Sequence, residues 1–483
     1  MKPSTEIKTV SHRCPTTLRN LPRSRHRDTL TRRMSRLMLT LGMALCAGSA
    51  SVQAQTWETV DDVSPYSAAF GATADRAGNL FVAGYMRDAA NLQHAVIMKS
   101  SDAGQTWDSD PSTPEVDEPS DSIPPPTGGS GVGAKAWFEG VASARVADGT
   151  GGFADHLVAF GKSQPPVLNS NDPYHIHWII RRSLDGGVTW QTIDDYLHPT
   201  YDLVPLAPNN VGGGVVAVDS SGTVWVTGLA VERTVSRGKT VDVSHWLVRK
   251  GVTQGDGTVQ WTTTDFVVPA SSEYYRTGNV FPSGVACAGS NVYVMGGGGT
   301  EGACWRVMKS GNGGTTWTVA DNFRLDAKDA SHAYSMASDS AGSLYVAGWG
   351  NAVSLNTLRS HWIVRKGSPG GTGWTTVDQY QYPGSNGWAR GIAVAPNGDV
   401  HVTGYGGGSP RRWITRQRSA ATGLWSTTDD FVHPVNPRTF GNAITADPFG
   451  NVFSAGFAGS PADGSIFTLH NWLVRRKLAP AAP

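Results

Sequence analysis

Short stretches in which apolar and polar residues alternate recur along the chain after residue 54, and turns that contain glycine separate them. One stretch of the chain shows four such segments in succession, at 214–219, 223–229, 245–250 and 261–267. A sustained 3.6-residue helical pattern is missing from this region. Alternation of this kind is typical of antiparallel strands that bury one face, so the pattern predicts an all-β fold.

The four-segment unit repeats along the chain. Its second segment recurs seven times, beginning at residues 79, 156, 223, 291, 343, 399 and 451. Its fourth segment begins with a tryptophan at 107, 190, 261, 317, 374 and 425, and a seventh copy stands near the start of the chain, at 57–62. The last unit stops after its third segment. We therefore predict a seven-bladed β-propeller of four-stranded antiparallel blades, closed by residues 57–62 as the missing strand of the last blade. Closure removes the exposed sheet edges of an open array.

The first 54 residues have the features of an export signal. Residues 1–36 contain ten Lys and Arg against two acids, an apolar run follows at 37–47, and Val52-Gln53-Ala54 resembles a cleavage site. Met34 would start a signal of ordinary length. The apolar run is too short to span a bilayer. We expect a leader at 1–54, a single propeller domain at 55–483, and a secreted or periplasmic product.

Removal of the leader leaves 30 basic and 37 acidic residues, a balance that gives no reason to expect nucleic acid as a partner. Cys287 and Cys304 are the cysteines that remain, and we expect them not to form a disulfide. An acidic, proline-rich stretch at 108–133 predicts a flexible surface loop. His175 and His177 have metal-ligand spacing, but His177 recurs as His245 and His361. We expect no metal, no cofactor and a monomer.

Three turns between the third and fourth segments carry a recognisable motif: S-S-D-A-G-Q-T-W from Ser100, S-L-D-G-G-V-T-W from Ser183, and S-G-N-G-G-T-T-W from Ser310. They resemble the Asp-box, or BNR, repeat of the sialidase-like β-propellers. The resemblance implies a propeller fold and places these turns on the face opposite an active site. It implies no particular chemistry, because such repeats occur in hydrolases, lyases and binding proteins. We expect structural roles for Asp102, Asp185 and Asn312.

Residues that recur in most units are expected to serve the blade. Basic pairs recur in the third segment and are expected at blade edges: Arg181-Arg182, Arg249-Lys250, Arg365-Lys366 and Arg475-Arg476. Aspartates recur in the fourth segment: Asp61, Asp194, Asp265, Asp378 and Asp429. Residues outside the pattern need another explanation. Two tryptophans lie just before the first segments of their units. In a propeller the first strand of each blade lines the central channel, and further aromatic and arginine residues occur in the same approach segments. We predict a ligand site at one channel mouth, formed by Trp137, Tyr275, Arg276, Trp388, Arg390 and Arg438.

Three functions follow from this site. Aromatic faces and arginine forks suit a sugar that carries a carboxylate, so the first is binding of an extracellular glycan. The second is a glycan-active enzyme, a glycoside hydrolase or polysaccharide lyase, with Tyr334, His332, Glu139 and Arg390 as candidate catalytic residues. The chain lacks the F/Y-R-I-P segment of sialidases, which favours binding over catalysis. The third is a non-catalytic scaffold that binds a protein or organises the envelope.

Overall fold

The structure is a computed structural model that describes residues 56–63, 66–87, 93–108, 135–148, 151–164, 176–199, 202–203, 215–236, 239–267, 281–298, 304–327, 329–354, 357–459 and 470–480. These residues belong to one compact unit, Gln55–Pro483. The predicted leader, nearly all of the 108–133 loop, His175, Tyr275 and Arg276 lie outside the described residues. Among the residues that are described, no helix is long and apolar enough to cross a membrane.

The described residues are all-β, as the alternating pattern predicted, and they form strands that pair in consecutive antiparallel groups. We name each group after its first strand. The first three groups are β2 (Ala68–Ala74), β3 (Leu80–Arg87) and β4 (Gln93–Ser100); β5 (Lys135–Ala147), β6 (Phe153–Gln164), β7 (His177–Ser183) and β8 (Gln191–Tyr196); β10 (Val216–Val218), β11 (Val224–Ser236), β12 (Lys239–Thr253) and β13 (Val259–Val267), with β9 (Asp202–Leu203) beside β11.

The remaining groups have the same order. They are β14 (Pro282–Ala288), β15 (Asn291–Gly297), β16 (Trp305–Ser310) and β17 (Thr318–Phe323); β18 (Ser331–Ser338), β19 (Leu344–Ser354), β20 (Thr357–Ser368) and β21 (Thr372–Tyr380); β22 (Gly387–Val394), β23 (Val400–Gly407), β24 (Arg411–Arg418) and β25 (Trp425–Phe431); β26 (Arg438–Ala446), β27 (Val452–Gly459) and β28 (His470–Lys477), with β1 (Glu58–Val63). Most groups are thus four-stranded antiparallel sheets.

Strand β1 pairs antiparallel with β28, from Glu58 opposite Arg476 to Val63 opposite Trp472. A segment near residue 60 therefore supplies the fourth strand of the group that ends at residue 477. First strands of successive groups contact one another: β2 with β5, β5 with β10, β10 with β14, β14 with β18, β18 with β22, β22 with β26, and β26 with β2.

Two details differ from the sequence prediction. The tryptophan at 107 was expected to begin a fourth strand, but it lies outside any strand, so the β2 group has three strands within the described range. The β11–β12 hairpin is longer than the predicted segments 223–229 and 245–250, since its register continues to Ser236 opposite Lys239. β-Branched residues, which favour strands, also continue here, as in the sequence A-V-E-R-T-V-S from Ala230.

Tryptophans of the third strands form much of the core between groups. Trp178, Trp246, Trp305, Trp362, Trp413 and Trp472 have at most 1% of their surface exposed. Six of the seven second strands place a glycine where such a ring must fit, whereas Gly161 of β6 faces Phe138 and the carbonyl oxygen of Trp137. At Gly404, a Cβ atom would lie 2.8 Å from the ring of Trp362 and 2.0 Å from the carbonyl oxygen of Trp388. This position therefore requires glycine because two groups pack too closely for a side chain.

Arginines of the third strands form ion pairs with fourth-strand aspartates of the preceding group. The pairs are Arg249–Asp194, Arg365–Asp321, Arg416–Asp378 and Arg475–Asp429. In one of them, Arg416 places Nε 2.7 Å from Oδ2 of Asp378 and Nη2 2.8 Å from Oδ1. These arginines are buried between sheets. The prediction that they lie at blade edges was therefore wrong, because each completes a contact between neighbouring groups.

Candidate functional site

The two tryptophans outside the repeat pattern pack into one cluster. This aromatic cluster consists of Phe70, Tyr85, Trp137, Tyr405, Phe440 and Phe457 with Ala68, and Trp388 packs against it. The ring centroids of Trp388 and Tyr405 lie 4.9 Å apart. Trp137 and Trp388 stand near the beginnings of β5 and β22, so the first strands bring together the aromatic side chains that the sequence analysis singled out.

Arg411 lies against this cluster and was missed by the sequence analysis. Its guanidinium carbon lies 4.9 Å from the ring centroid of Phe440, 5.1 Å from that of Tyr405 and 5.9 Å from that of Trp388. Three aromatic faces thus surround one cation. A usable signal was present, because the chain reads R-R-W at 411–413 where two other units read S-H-W, at 244–246 and 360–362.

Arg438, a predicted ligand residue, begins β26 directly beside Arg411 in a parallel pair of strands. Within the described part of the chain, neither arginine forms an ion pair with a carboxylate. Burial lowers the pKa of Arg411, and the nearby positive charges of Arg438 and Arg390 act in the same direction. The arrangement therefore concentrates positive charge at a half-buried position, where an anion would be attracted.

Arg390, the third predicted arginine, lies deeper in the protein, with 1% of its surface exposed. Its guanidinium carbon stacks 4.2 Å from the ring centroid of Tyr334, and its Nη2 donates a hydrogen bond to the Tyr405 hydroxyl at 3.0 Å. Tyr405 therefore touches both Arg390 and Arg411. Trp388, Arg390 and Arg438 therefore lie in one region, and their role as ligand residues stays a prediction.

Tyr334 and His332 also lie together beneath this region. Their ring centroids are 4.7 Å apart, and Trp349 donates its indole Nε1–H to the Tyr334 hydroxyl at 3.3 Å. Nε2 of His332 is 3.2 Å from the Ser283 hydroxyl, and Phe281 covers the imidazole at 4.3 Å. Both side chains have at most 2% of their surface exposed. Burial raises the pKa of Tyr334, which disfavours the phenolate form.

Glu139, the remaining catalytic candidate, forms its own buried contacts on β5. Its Oε1 accepts hydrogen bonds from Nζ of Lys162 at 2.8 Å and from Nε1 of Trp137 at 3.2 Å. Neither Glu139 nor the Lys162 side chain is exposed to solvent. A lysine therefore balances the charge of this carboxylate, and the pair fixes the indole of Trp137 within the aromatic cluster.

Further basic groups surround the cluster. Burial lowers the pKa of His470 to about 4, and the positive charges of Arg87 and Arg438 contribute to that shift. The His470 ring stacks on Phe457, a member of the aromatic cluster, with 4.7 Å between centroids. The pKa of Lys135 is also lowered, mainly by burial and to a smaller extent by the positive charge of Arg87. The region is therefore aromatic and electropositive.

The Asp-box residues lie in turns and hydrogen-bond within them. Oδ1 and Oδ2 of Asp102 accept bonds from the backbone N–H and hydroxyl of Thr106, at 2.8 and 2.6 Å. These bonds lower the pKa of Asp102 to about 2. Asp185 makes the same two contacts with Thr189, and Asn312 makes the equivalent contacts with Thr316 through its amide group. All three side chains therefore hold their turns together.

Metal-binding and thiol chemistry have little support here. Across the ranges that the structure describes, no cluster of three His, Cys, Asp or Glu side chains is arranged to hold a metal ion. His177 binds Asp195 through Nδ1 at 2.6 Å. Cys287 and Cys304 form no disulfide with each other, and burial raises the pKa of the Cys287 thiol to about 12, so this thiol is unreactive at neutral pH.

No protein-family model and no curated protein matches this chain. Solved structures that resemble it include an intramolecular trans-sialidase from Ruminococcus gnavus (13% identity, 87% of this chain and 96% of that chain covered, TM-score 0.39). Another is an α-L-arabinofuranosidase from Fusarium graminearum (12% identity, 70% of this chain and 93% of that chain covered, TM-score 0.41). A third is a protein of unknown function from Dyadobacter fermentans (13% identity, 88% of this chain and 99% of that chain covered, TM-score 0.41). Similarity at this level carries no argument about activity.

Proposed function

We propose that this chain is an exported seven-bladed β-propeller that binds an acidic extracellular glycan at the aromatic cluster. The successive contacts between first strands and the pairing of β1 with β28 support a closed ring in which the N-terminal strand completes the last blade. The basic, apolar character of residues 1–54, taken from the sequence, supports export. The mature domain is then 55–483.

The observation that carries the binding proposal is the position of Arg411. It is a half-buried cation among three aromatic faces, and Arg438 stands beside it. A guanidinium fork is suited to bind a carboxylate through two hydrogen bonds, and an exposed part of an indole such as Trp388 suits the apolar face of a sugar ring. A uronate or another carboxylated sugar combines both features. Tyr275 and Arg276 stay predicted contributors to the same site.

Burial of the candidate catalytic residues favours binding over turnover. A general acid or base must come within hydrogen-bonding distance of the substrate. Tyr334, His332 and Glu139 are closed off from solvent by Arg390, Phe281 and the Trp137–Lys162 contacts. In this proposal they support the site from below. Glycan-active catalysis, as a hydrolase or lyase, is the second candidate function, and it would require these side chains to become accessible.

A glycan array that includes uronate, sialate and neutral sugars tests the proposal on residues 55–483. The test variant is Arg411→Gln, and the matched control is Arg412→Gln, because Arg412 is the next residue but faces Asp430 at the outer edge of the sheet. Charge-assisted hydrogen bonds contribute about 1.5–3 kcal/mol, so we expect a loss of roughly 10- to 100-fold in Arg411→Gln. Arg412→Gln should bind like the parent.

The same array separates the alternatives. Bound glycans are recovered and examined by mass spectrometry, and cleavage or loss of water would favour the enzyme. Absence of binding to every acidic and neutral glycan would contradict both carbohydrate functions and leave a scaffold that binds another protein. Equal losses in Arg411→Gln and Arg412→Gln would show that the aromatic cluster is not the site.

A further inference from the structure

A cavity of about 390 Å³ lies at the opposite ends of the first strands from the aromatic cluster. Its lining includes Ala74, Ser338, Val394 and Ala446, which are the last residues of β2, β18, β22 and β26, together with Arg145 near the end of β5. The candidate site uses the beginnings of β5, β22 and β26. The cavity is therefore distinct from that site, and an inference about it does not depend on the proposed function.

Charged side chains of both signs line this cavity. Asp75 and Asp447 each use a carboxylate oxygen to accept the backbone N–H of a residue in their own turn, Asn79 or Asn451, at 2.8 Å. These contacts fix the positions of the two carboxylates. Arg76, Arg145 and Asp155 also line the cavity, and Arg145 lies directly opposite Asp155 in the β5–β6 pairing. An ionic ligand of either sign would meet like charges here.

Two exposed phenyl rings adjoin residues of the cavity lining, although neither ring is itself part of that lining. Phe449 has 67% of its surface exposed and follows the lining residues Asp447 and Pro448. Phe153 is 53% exposed, and the guanidinium carbon of Arg145 stacks 3.4 Å from its ring centroid. Gly78 holds Phe449 in place, since a Cβ there would lie 2.5 Å from the ring. Exposed, positioned aromatic rings at the edge of a polar cavity are typical of ligand sites.

We propose that this cavity is a second ligand site and that it takes a neutral saccharide. Sugar hydroxyls both donate and accept hydrogen bonds, which matches a lining that contains arginine donors, the half-buried carboxylate of Asp155 and the hydroxyls of Ser338 and Ser340. The apolar face of a sugar ring suits stacking on Phe449 or Phe153. The volume lies within the range of about 300–1,000 Å³ that is usual for small-molecule sites. The mixed charges distinguish this site from the electropositive aromatic cluster.

Saturation-transfer difference NMR on residues 55–483 tests this inference, with neutral oligosaccharides of glucose, xylose, mannose and arabinose as millimolar probes. We expect transfer to at least one probe, and roughly fivefold weaker binding in Phe449→Ala. Phe153→Ala should act in the same direction. Leu424→Ala is the matched control, because Leu424 is 72% exposed and does not line the cavity.

Arg411→Gln, a change at the aromatic cluster, should leave this binding unchanged. Absence of transfer to all four probes would overturn the inference. Transfer that survives Phe449→Ala but disappears in Arg411→Gln would overturn it as well, since the probe would then occupy the other site.

Discussion

Replacing Asp61 with asparagine should stabilise the protein above neutral pH, although the same change at an equivalent that pairs with an arginine, such as Asp378, should destabilise it. Asp61 lies in β1 at the position that Asp378 holds in β21, where Arg416 of the next group pairs with it. The next group after β1 has Met98 at the arginine position of β4. Oδ2 of Asp61 is buried and has no hydrogen-bond partner among the described residues. Strand β1 therefore carries a carboxylate without its arginine.

Burial raises the pKa of Asp61 from 3.8 to about 7, and the charge of neighbouring Asp62, which binds His433 and Asn471, adds to the shift. Between these two pH values the folded state holds a proton that the unfolded state has lost. Stability therefore falls as pH rises through this window. A shift of about 3 pKa units, at about 1.4 kcal/mol each, means that ionised Asp61 costs up to about 4 kcal/mol above pH 7.

Urea unfolding of residues 55–483, followed by tryptophan fluorescence at pH 4.5 and pH 8, measures this effect. We expect Asp61→Asn to raise the free energy of unfolding by about 2–4 kcal/mol at pH 8 and to change it little at pH 4.5. Asp378→Asn is the matched control, and it should lower stability at pH 8 by about 3–5 kcal/mol because it leaves Arg416 buried without its carboxylate. Destabilisation by Asp61→Asn at pH 8 would refute the reasoning.

Three other changes test the packing and the closure. Gly187→Ala should lower the free energy of unfolding by about 3 kcal/mol in the same urea assay, because Gly187 has a φ of +84° and a Cβ there would lie 2.5 Å from Phe81. Gly186→Ala is the control: Gly186 has a φ of +73° but open space around it, so the loss should be about 1 kcal/mol. Burial lowers the pKa of His401 from 6.5 to about 4, so about 3 kcal/mol of stability should be lost as pH falls through that window. His470, whose pKa burial also lowers to about 4, should contribute a similar loss, so His401→Phe should remove roughly half of the loss in urea titrations across the range. Deletion of 55–63 removes β1 and exposes the edge of β28, so size-exclusion chromatography should show self-association; a monomer of unchanged stability would contradict ring closure.

The strands were predictable because their signals are local. Alternation along each segment and a glycine in each turn identify a strand without knowledge of its neighbours. The copy of the fourth segment at 57–62 also predicted that β1 would complete the last group, and β1 does pair with β28. Contacts between groups were not predictable in this way. Arg416 and Asp378 both recur in the repeat, but nothing in either segment indicates that they meet across a sheet interface.

The candidate site was predicted in part. Trp137 and Trp388 stood out because they interrupt the repeat, and they do lie in one cluster. Arg411 was missed because it lies just before the repeated segment that begins at Arg412, and the aromatic rings around it come from other strands. The burial of Tyr334 and His332 was also beyond the sequence, since it results from Phe281, just before β14, and from Trp349 in β19. Exposure depends on which side chains the neighbouring strands place above a residue.

An acidic glycan bound beside Arg411 should lose affinity when its carboxylates are removed, and a calorimetric titration with two matched ligands measures this loss. Residues 55–483 are titrated with an oligogalacturonide and with the same oligosaccharide after reduction of its carboxylates to neutral alcohols. We expect the acidic ligand to bind at least roughly tenfold more tightly, in the parent but not in Arg411→Gln. Equal affinities for the two ligands, or binding that Arg411→Gln leaves intact, would contradict the account.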